Sequence, residues 1–508
     1  MTSDEHPLGL PRPLAAGADD APAILAPDRP PLSHGGLRRL IDTTAAALHV
    51  RGIGRGDRVA ILLPNGPEMA TSFVAVAAAA STAPLNPAYR AEELDFYLTD
   101  IGAKAILVAA GESGPAVSVA AQLGIAVLRL VVPAGAAAGD FAIEGRAVGP
   151  QAAPEMARDD DIALLLHTSG TTSRPKLVPL SHGNIAASAR HIGATLGLTA
   201  NDRCLNIMPL FHIHGLIAAV ASSLASGGSI YCTPGFNALR FFQWLNDAKP
   251  SWYTAVPTMH QAILPRAARN PEALSSSLLR FIRSSSASLP AQVMAELEAT
   301  FGCPVIEAYG MTEAAHQMAS NQLPPGQRKP GSVGAAAGPE VAVMSPDGRL
   351  MRPGETGEIV IRGPNVTSGY EKNPAANATA FAHGWFHTGD QGVLDDDGYL
   401  RVTGRLKEII NRGGEKISPL EVDDVLMDHP AVAQVVTFAM PHDKLGEEVA
   451  AAVVLREGMS VTEHDIRAHA ATRLADFKVP RKILILDEIP KGATGKLQRI
   501  GLAAKLGL

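Results

Sequence analysis

Residues 168–176 bring hydroxyl groups, a glycine and a lysine together in one short loop that follows an apolar run. Gly170 allows a tight backbone turn, in which amide N–H groups face a bound anion, and Lys176 supplies a positive charge. These residue types suit the binding of a polyphosphate. The residues that we expect to contact phosphate are Thr168, Ser169, Gly170, Thr171, Thr172 and Lys176. A polar connection that binds nothing is the competing interpretation of such a loop.

The spacing of Gly170 and Lys176 matches the Walker A loop, but neighbouring residues do not. Pro175 stands where a second glycine is required, and proline has no N–H to donate to a phosphate. Leu177 replaces the hydroxyl residue that would bind magnesium. The loop is therefore a phosphate-binding loop of another design, in which side-chain hydroxyls are the main donors.

The composition is that of a globular protein with several units. A chain of 508 residues suggests about three to four domains or subdomains. The net charge of −6 and the lack of a basic block argue against a nucleic-acid partner. The cysteines Cys204, Cys232 and Cys303 are scattered, which predicts a reducing, cytoplasmic location without disulfides. No secretory leader is visible, and the longest apolar stretch, 73–80, is too short to span a membrane.

Strand-like and helix-like runs alternate along most of the chain, which predicts an α/β fold with largely parallel sheets. The predicted strands are 58–64, 105–109, 162–167, 204–208, 229–232, 252–255, 280–284 and 304–308. The predicted helices are 36–50, one that starts at Pro67, 182–195, 215–225, 238–246, 258–268 and 291–301. After about residue 335, short strands separated by turns indicate a small β subdomain.

The last hundred or so residues read as a separate α+β segment. Ser418 and Glu421 form a predicted capping box, with a proline at the first helical position. We expect a large N-terminal domain of layered α/β subdomains, including the small β subdomain, over residues 1–403. A hinge is predicted at 404–407, followed by a small α+β C-terminal domain over 408–508.

Six blocks of sequence together resemble the adenylate-forming superfamily, which includes acyl-CoA synthetases, luciferases and the adenylation domains of peptide synthetases. In order along the chain the blocks are 168–176, 307–313, 387–390, 404–407, 412–418 and 490–499. The phosphate loop departs from the commonest pattern at Ser173 and Leu177, where glycine is usual. The resemblance implies that a carboxylate attacks the α-phosphorus of ATP to give an acyl-adenylate and pyrophosphate. The thiol of coenzyme A (CoA) then displaces AMP.

The resemblance also implies roles for individual residues of this chain. Glu313 would bind Mg²⁺, and Asp390 would bind the ribose. From the residues alone, Glu313 is an ordinary acid just past a strand and Asp390 is an ordinary acid in a turn. Lys496 would neutralise charge at the carboxylate and the α-phosphate. The implied catalytic set is Thr168, Glu313, Arg405 and Lys496. Outside the phosphate loop, the implied ATP-binding residues are Glu307, Ala308, Tyr309, Gly310, Thr312, Asp390, Arg405 and Lys496.

Two further implied roles concern the second half of the reaction. After adenylation the C-terminal domain would rotate about Lys407, which removes Lys496 from the site. Gly413 and Gly414 would then line the tunnel for the pantetheine arm of CoA, because glycines let a ligand approach the backbone closely.

Polar groups stand where a fatty acyl chain would need an apolar pocket. His212 and His214 would share a face of extended backbone, the run 283–288 is rich in serine, and His316 would lie one helical turn after Glu313. The surrounding sequence resembles the oxalate–CoA ligase branch of plants and fungi. That resemblance implies that His214, Ser286 and His316 hold oxalate. The full set predicted to contact the acid is His212, His214, Ser286 and His316.

Other assignments stay open at this point. Within the same chemistry, the alternatives to oxalate are a medium-chain fatty acid and malonate. A non-catalytic ATP-binding protein of the same fold belongs to a different class, although Thr168, Glu313 and Lys496 argue against it. A peptide-synthetase module is disfavoured, since we expect no carrier domain after residue 508. The predicted partners are a small-molecule acid, ATP and CoA, bound to a monomer or a homodimer.

Overall fold

The computed structural model describes residue 14 and residues 16–168, 175–491 and 497–508. The first part of the chain forms short strands and four helices. Its strands are β1 (Pro22–Leu25), β2 (Leu32–Ser33), β3 (Arg58–Leu62), β4 (Ser81–Pro84), β5 (Ala105–Ala109), β6 (Ala126–Val131) and β7 (Ala142–Glu144). Its helices are α1 (His34–Val50), α2 (Pro67–Ala77), α3 (Ala91–Ile101) and α4 (Pro115–Gln122).

The second part continues the alternation of strands and helices. Its strands are β8 (Ile162–Thr168), β9 (Lys176–Ser181), β10 (Arg203–Asn206), β11 (Ser229–Cys232), β12 (Trp252–Ala255), β13 (Phe281–Ser285), β14 (Val305–Met311), β15 (His316–Ser320) and β16 (Ala335–Ala336). Its α-helices are α5 (His182–Thr195), α6 (Ser222–Ala225), α7 (Phe241–Ala248), α8 (Pro257–Ala267), α9 (Pro271–Ser275) and α10 (Ala291–Phe301). A π-helix covers His214–Ala221, and one 3₁₀ turn covers Thr312–Ala314.

The rest of the chain is richer in antiparallel strands. Its strands are β17 (Glu340–Met344), β18 (Thr356–Arg362), β19 (Phe386–Leu394), β20 (Leu400–Arg405), β21 (Ile410–Arg412), β22 (Glu415–Ile417), β23 (Val432–His442), β24 (Gly446–Leu455) and β25 (Lys482–Ile485). Its helices are α11 (Pro374–Ala380), the 3₁₀ turn Ala382–Gly384, α12 (Pro419–Met427), α13 (Glu463–Ala471) and α14 (Leu502–Lys505).

Four sheets organise the described residues. A seven-stranded sheet has the order β7-β6-β5-β3-β4-β8-β9, and a nine-stranded sheet has the order β16-β15-β14-β13-β12-β10-β11-β1-β2. The central strands of both are parallel, as in β3 beside β5 and β13 beside β14. The four-stranded sheet β17-β18-β19-β20 is antiparallel. The predicted α/β class, with a large N-terminal domain and a smaller α+β C-terminal domain, is confirmed.

The sheet of the C-terminal segment packs against helices of the nine-stranded sheet. Strands β22-β21-β24-β23 form this sheet, and β25 pairs in parallel with β24. The side chain of Gln261 on α8 donates to the carbonyl of Ala433 at 3.1 Å, and Arg456 pairs with Glu296 on α10 at 3.0 Å. Apolar side chains of α8, α10 and α12 belong to one buried cluster, so the contact is continuous with the core.

Two local predictions about helices need correction. The helix predicted at 215–225 is a π-helix for most of its length and becomes α-helical only at Ser222. The capping box at α12 is half formed: the Ser418 hydroxyl accepts from the Glu421 N–H at 3.3 Å, but the Glu421 carboxylate pairs with Lys478. The Lys478 ammonium thus bonds both oxygens of the Glu421 carboxylate, in place of the Ser418 N–H that a capping box requires.

No helix among the described residues combines the length and the apolar character that crossing a membrane requires.

Candidate active site

Several of the predicted site residues lie where strands of both large sheets end at their carboxyl edges. Thr168 ends β8, Ser286 follows β13, and Thr312 and Glu313 follow β14. In open α/β sheets the carboxyl ends of the strands meet at one edge, where loops form binding crevices. The structure therefore brings residues that are distant in sequence to the same region of the molecule.

The ends of the phosphate loop are fixed by strand pairing. Thr168 and Lys176 lie opposite each other in the antiparallel pair β8–β9, so these two residues at the ends of the loop are adjacent. Ser181 then begins α5, since its hydroxyl accepts from the N–H of Asn184 at 3.1 Å. The predicted phosphate contacts Ser169, Gly170, Thr171 and Thr172 lie outside the described residues.

Lys176 and Glu313 meet on either side of one tyrosine. The ammonium of Lys176 lies 4.2 Å from the centre of the Tyr370 ring, and the Tyr370 hydroxyl donates to Glu313 Oε1 at 2.9 Å. Glu313 is buried, and burial raises the pKa of its carboxyl. Partial burial lowers the pKa of the Lys176 ammonium. Tyr370 was not predicted from the sequence, where it is a single aromatic residue after Gly369 with no periodic signal around it.

The donor set at Glu313 fits the magnesium that the family resemblance implies. Among the described residues no three His, Cys, Asp or Glu side chains come together as a complete metal cage. Mg²⁺ is held in nucleotide sites by one or two carboxylates, with phosphate oxygens and water as the remaining ligands. A single buried carboxylate near the phosphate lysine is that kind of donor.

Asp390 and Arg405 lie side by side on paired strands. The two residues are directly opposite in β19 and β20, and Arg405 Nε donates to Asp390 Oδ1 at 3.0 Å. Tyr309 also donates its hydroxyl to Asp390. The nearby carboxylate of Asp390 raises the pKa of the Arg405 guanidinium. The sequence placed Asp390 in a turn, which is wrong: the acid lies within a nine-residue strand.

The strand β14 presents the other residues implied in ATP binding. Glu307 is buried and its Oε1 accepts from the Leu289 N–H at 3.0 Å, and burial raises the pKa of its carboxyl to about 8. The carbonyl of Ala308 accepts from the Ser285 hydroxyl at 2.8 Å. Thr312 opens the 3₁₀ turn that carries Glu313.

Gly310 has no room for a side chain. An ideal Cβ at this position would lie 1.8 Å from the carbonyl oxygen of His316 on the neighbouring strand β15. Glycine is therefore required at this point of the β14–β15 pair, where the backbone of His316 leaves no room for a side chain.

His214, Ser286 and His316 form one polar cluster, in which the two histidines are buried and Ser286 is half-buried. The Ser286 hydroxyl lies 3.0 Å from His214 Nδ1, and Thr254 Oγ1 lies 2.6 Å from His214 Nε2. The rings of His214 and His316 have their centres 4.9 Å apart and meet edge to face. Both histidines are almost completely buried. The structure thus brings together three of the four residues that were predicted to contact the acid.

The local geometry of this cluster differs from the prediction. His212 and His214 do not lie on extended backbone: His214 is the first residue of the π-helix, and its N–H donates to His212 Nδ1 at 3.3 Å. His316 does not follow Glu313 on a helix either. The 3₁₀ turn ends at Ala314, Ala315 has φ +46, and His316 begins β15 with φ +97. Thr254 was missed because only the fold brings β12 beside the π-helix.

The residues implied in CoA binding lie on an exposed hairpin. Gly413 and Gly414 join β21 to β22 with φ +58 and φ +101, and the Gly413 N–H donates to the Leu445 carbonyl at 2.9 Å. Lys407 is exposed just after Arg405, and Lys496 lies outside the described residues.

Two family models match this chain. The model of AMP-binding enzymes matches residues 14–371, and the model of the C-terminal domain of AMP-binding enzymes matches residues 421–496. The oxalate–CoA ligase of Arabidopsis thaliana is 48% identical over 474 residues, which are 92% of this chain and 92% of that protein. The oxalate–CoA ligase of Saccharomyces cerevisiae is 41% identical over 470 residues, 88% of this chain and 86% of that protein.

The same similarity appears in solved structures. The crystal structure of ATP-bound MatB from Rhodopseudomonas palustris superposes with a TM-score of 0.86 at 30% identity and covers 98% of both chains. The match therefore extends over the N-terminal sheets and the C-terminal segment together.

Proposed function

This chain belongs to the family of AMP-binding enzymes and is an AMP-forming acid–CoA ligase, and we propose that the acid it activates is oxalate. ATP and CoA are the other substrates of this class of enzyme. The proposed product is oxalyl-CoA, with AMP and pyrophosphate released.

The observation that carries the proposal is the polar cluster of His214, Ser286 and His316, whose two histidines are buried. Two imidazoles and a hydroxyl in contact supply hydrogen-bond donors, which a carboxylate accepts. Oxalate has a second carboxylate beside the one that reacts, whereas a medium-chain fatty acid has only methylene groups there. Because His214 already bonds Ser286 and Thr254 through its two ring nitrogens, oxalate would take the place of one of these protein partners, which methylene groups cannot do. A buried polar group that loses its partner costs about 1–3 kcal/mol. The similarity to two oxalate–CoA ligases supports the same acid.

We assign the adenylation step as follows. One carboxylate oxygen of the acid attacks the α-phosphorus of ATP, and the bond between that phosphorus and pyrophosphate breaks. The phosphate loop with Lys176 binds the β- and γ-phosphates, and Lys496 neutralises charge at the attacked phosphorus. Glu313 would hold the magnesium ion, which would supply charge neutralisation at the phosphates.

Binding of the nucleoside falls to residues of β14, β19 and β20. Asp390 accepts hydrogen bonds from the ribose hydroxyls, and Arg405 beside it contributes a permanent positive charge. Residues Glu307 to Tyr309 flank the adenine, and Thr312 contacts the α-phosphate.

The second step needs the thiol of CoA to reach the acyl-adenylate. The sulfur attacks the acyl carbon, the bond from that carbon to the AMP oxygen breaks, and the thiol proton is lost. We assign the 404–407 segment, with Lys407, as the hinge between residues 1–403 and 408–508. Rotation about it withdraws Lys496 and brings Gly413 and Gly414 to the pantetheine arm.

The test is AMP formation from ATP with oxalate, malonate or octanoate as the acid, each with and without CoA. We expect the largest kcat/KM with oxalate, and a CoA-dependent product of the mass of oxalyl-CoA. A larger kcat/KM with malonate or octanoate would contradict the oxalate proposal and leave the ligase chemistry intact. If no acid in a wider panel gave AMP, a non-catalytic ATP-binding role would replace the proposed ligase activity.

A further inference from the structure

Tyr370 contacts both Glu313 and Lys176, to which the proposed function assigns separate roles. Its hydroxyl donates to Glu313 Oε1 at 2.9 Å, and the face of its ring lies 4.2 Å from the ammonium of Lys176. Glu313 follows β14 of the nine-stranded sheet, whereas Lys176 begins β9 of the seven-stranded sheet. One buried side chain thus reaches both large sheets at the candidate phosphate site.

The backbone around Tyr370 is held firmly. Its N–H donates to Asn377 Oδ1 at 2.8 Å, and its carbonyl accepts from Asn377 Nδ2 at 2.9 Å. The next N–H, that of Glu371, donates to the carbonyl of Leu177 at 3.0 Å, which ties the segment directly to β9. The ring therefore has a defined position relative to strand β9, which begins at Lys176, before any ligand binds.

The position of the ring matters because Lys176 and Glu313 carry opposite charges. No ion pair within 4.0 Å joins these two residues in the part of the chain that the structure describes. A direct pair would occupy the carboxylate that is assigned to magnesium and the ammonium that is assigned to phosphate. The tyrosine gives each of them another partner, since the ring face attracts the cation and the hydroxyl donates to the anion.

We propose that Tyr370 is a positioning residue that keeps Lys176 and Glu313 apart and oriented, so that the two opposite charges do not pair with each other and each is available to ATP or its magnesium ion. This inference rests on the proposed roles of Lys176 and Glu313 in binding magnesium and ATP, and it does not depend on the identity of the acid.

The test compares ATP binding with and without Mg²⁺ in two variants, by calorimetric titration in the absence of acid and CoA. Tyr370→Phe keeps the ring and removes the hydroxyl. We expect its affinity for ATP in EDTA to equal that of the wild type, whereas the gain in affinity on adding Mg²⁺ falls by about tenfold. Tyr370→Leu removes the ring as well, and its affinity for ATP in EDTA should fall by about threefold in addition.

Tyr399 offers a matched control elsewhere in the molecule. It is buried to the same 7%, its hydroxyl donates to the Gln327 carbonyl at 2.8 Å, and Lys329 lies 4.4 Å from its ring centre. Tyr399→Phe removes the same group from a similar setting and should leave the gain from Mg²⁺ unchanged. Equal behaviour of Tyr370→Phe and Tyr399→Phe would overturn the proposal, even if Tyr370→Leu did not fold.

The test also separates this inference from the oxalate proposal. The titration contains no acid, so a protein that proves inactive with oxalate still reports on Tyr370. A wild-type protein whose affinity for ATP did not respond to Mg²⁺ would overturn the role of Tyr370 together with that of Glu313.

Discussion

The rings of His214 and His316 meet edge to face, with their centres 4.9 Å apart, although one residue begins a π-helix and the other begins an antiparallel strand. His214 is also held by Ser286 at 3.0 Å and by Thr254 at 2.6 Å. The cluster is therefore built before the acid arrives, which reduces the cost of ordering it on binding.

We expect His316→Ala to lower kcat/KM for oxalate by about a hundredfold, because the partner groups in a buried polar site then lose a hydrogen-bonding group. The affinity for ATP should change by less than about threefold, since the assigned phosphate and ribose contacts do not involve this ring. Steady-state kinetics with varied oxalate measure the change in kcat/KM, and titration with ATP measures the change in affinity. His34→Asn is a suitable control, because His34 is equally buried and its ring nitrogens bond the backbone of Gly17 and Gly228. Unchanged oxalate kinetics in His316→Ala would rule out the assignment of this residue to the acid.

Ser286 combines a useful hydroxyl with an unfavourable backbone. Its φ of +75 lies in the left-handed region, which costs a residue with a Cβ about 1 kcal/mol relative to glycine. Ser286→Gly should therefore be more stable than Ser286→Ala by about that amount in chemical denaturation. Both variants lack the hydroxyl next to His214 and should lose about tenfold in kcat/KM for oxalate. If both retained full turnover of oxalate, the hydroxyl would have no part in binding the acid.

The strands that carry the site residues could be predicted from the sequence better than the backbone conformation of the segments that connect them. Apolar runs and their alternation predicted β8, β13 and β14, whereas the strand β9 and its antiparallel pairing with β8 were not predicted. The backbone at Ala315 and His316 could not be predicted, because positive φ in residues other than glycine is fixed by tertiary contacts rather than by local preference.

The same reason explains what was missed. The π-helix at His214 depends on packing against α5 and β10, to which the local sequence gives no guide. Tyr370 reaches the site only because the loop after β18 lies against β9, a contact between segments far apart in the chain. The family resemblance identified Asp390 and Arg405 as ATP-binding residues, but only the structure shows the strand pairing that places them side by side.

Glu307 should make the stability of the protein depend on pH. Burial raises the pKa of its carboxyl to about 8, whereas the unfolded chain releases this proton near the ordinary value of 4.5. Between these values the folded state holds a proton that the unfolded state has lost, so this contribution to stability is complete below about pH 4.5 and is lost as the pH rises towards 8. The loss is up to about 1.4 kcal/mol for each pH unit.

Glu307→Gln cannot ionise and should lack this contribution. Urea denaturation at pH 5.5 and pH 8 should show that the wild type loses more stability with rising pH than Glu307→Gln does. Glu457→Gln serves as a control because Glu457 is exposed. Parallel pH dependence in the wild type and Glu307→Gln would show that the carboxyl is ionised in the folded protein throughout this range.

Gly310→Ala tests whether the close approach of β14 and β15 positions His316. The added Cβ would lie 1.8 Å from the His316 carbonyl oxygen, and that atom belongs to the backbone and cannot turn away. Strand β15 must therefore shift, at a cost of about 1–3 kcal/mol, and the His316 ring moves with it. We expect a lower melting temperature and a loss of at least about tenfold in kcat/KM for oxalate. Gly111→Ala is the matched control, because a Cβ there meets no atom within 4 Å. If Gly310→Ala matched this control in both measurements, β15 would be free to adjust and the glycine would not set the position of His316.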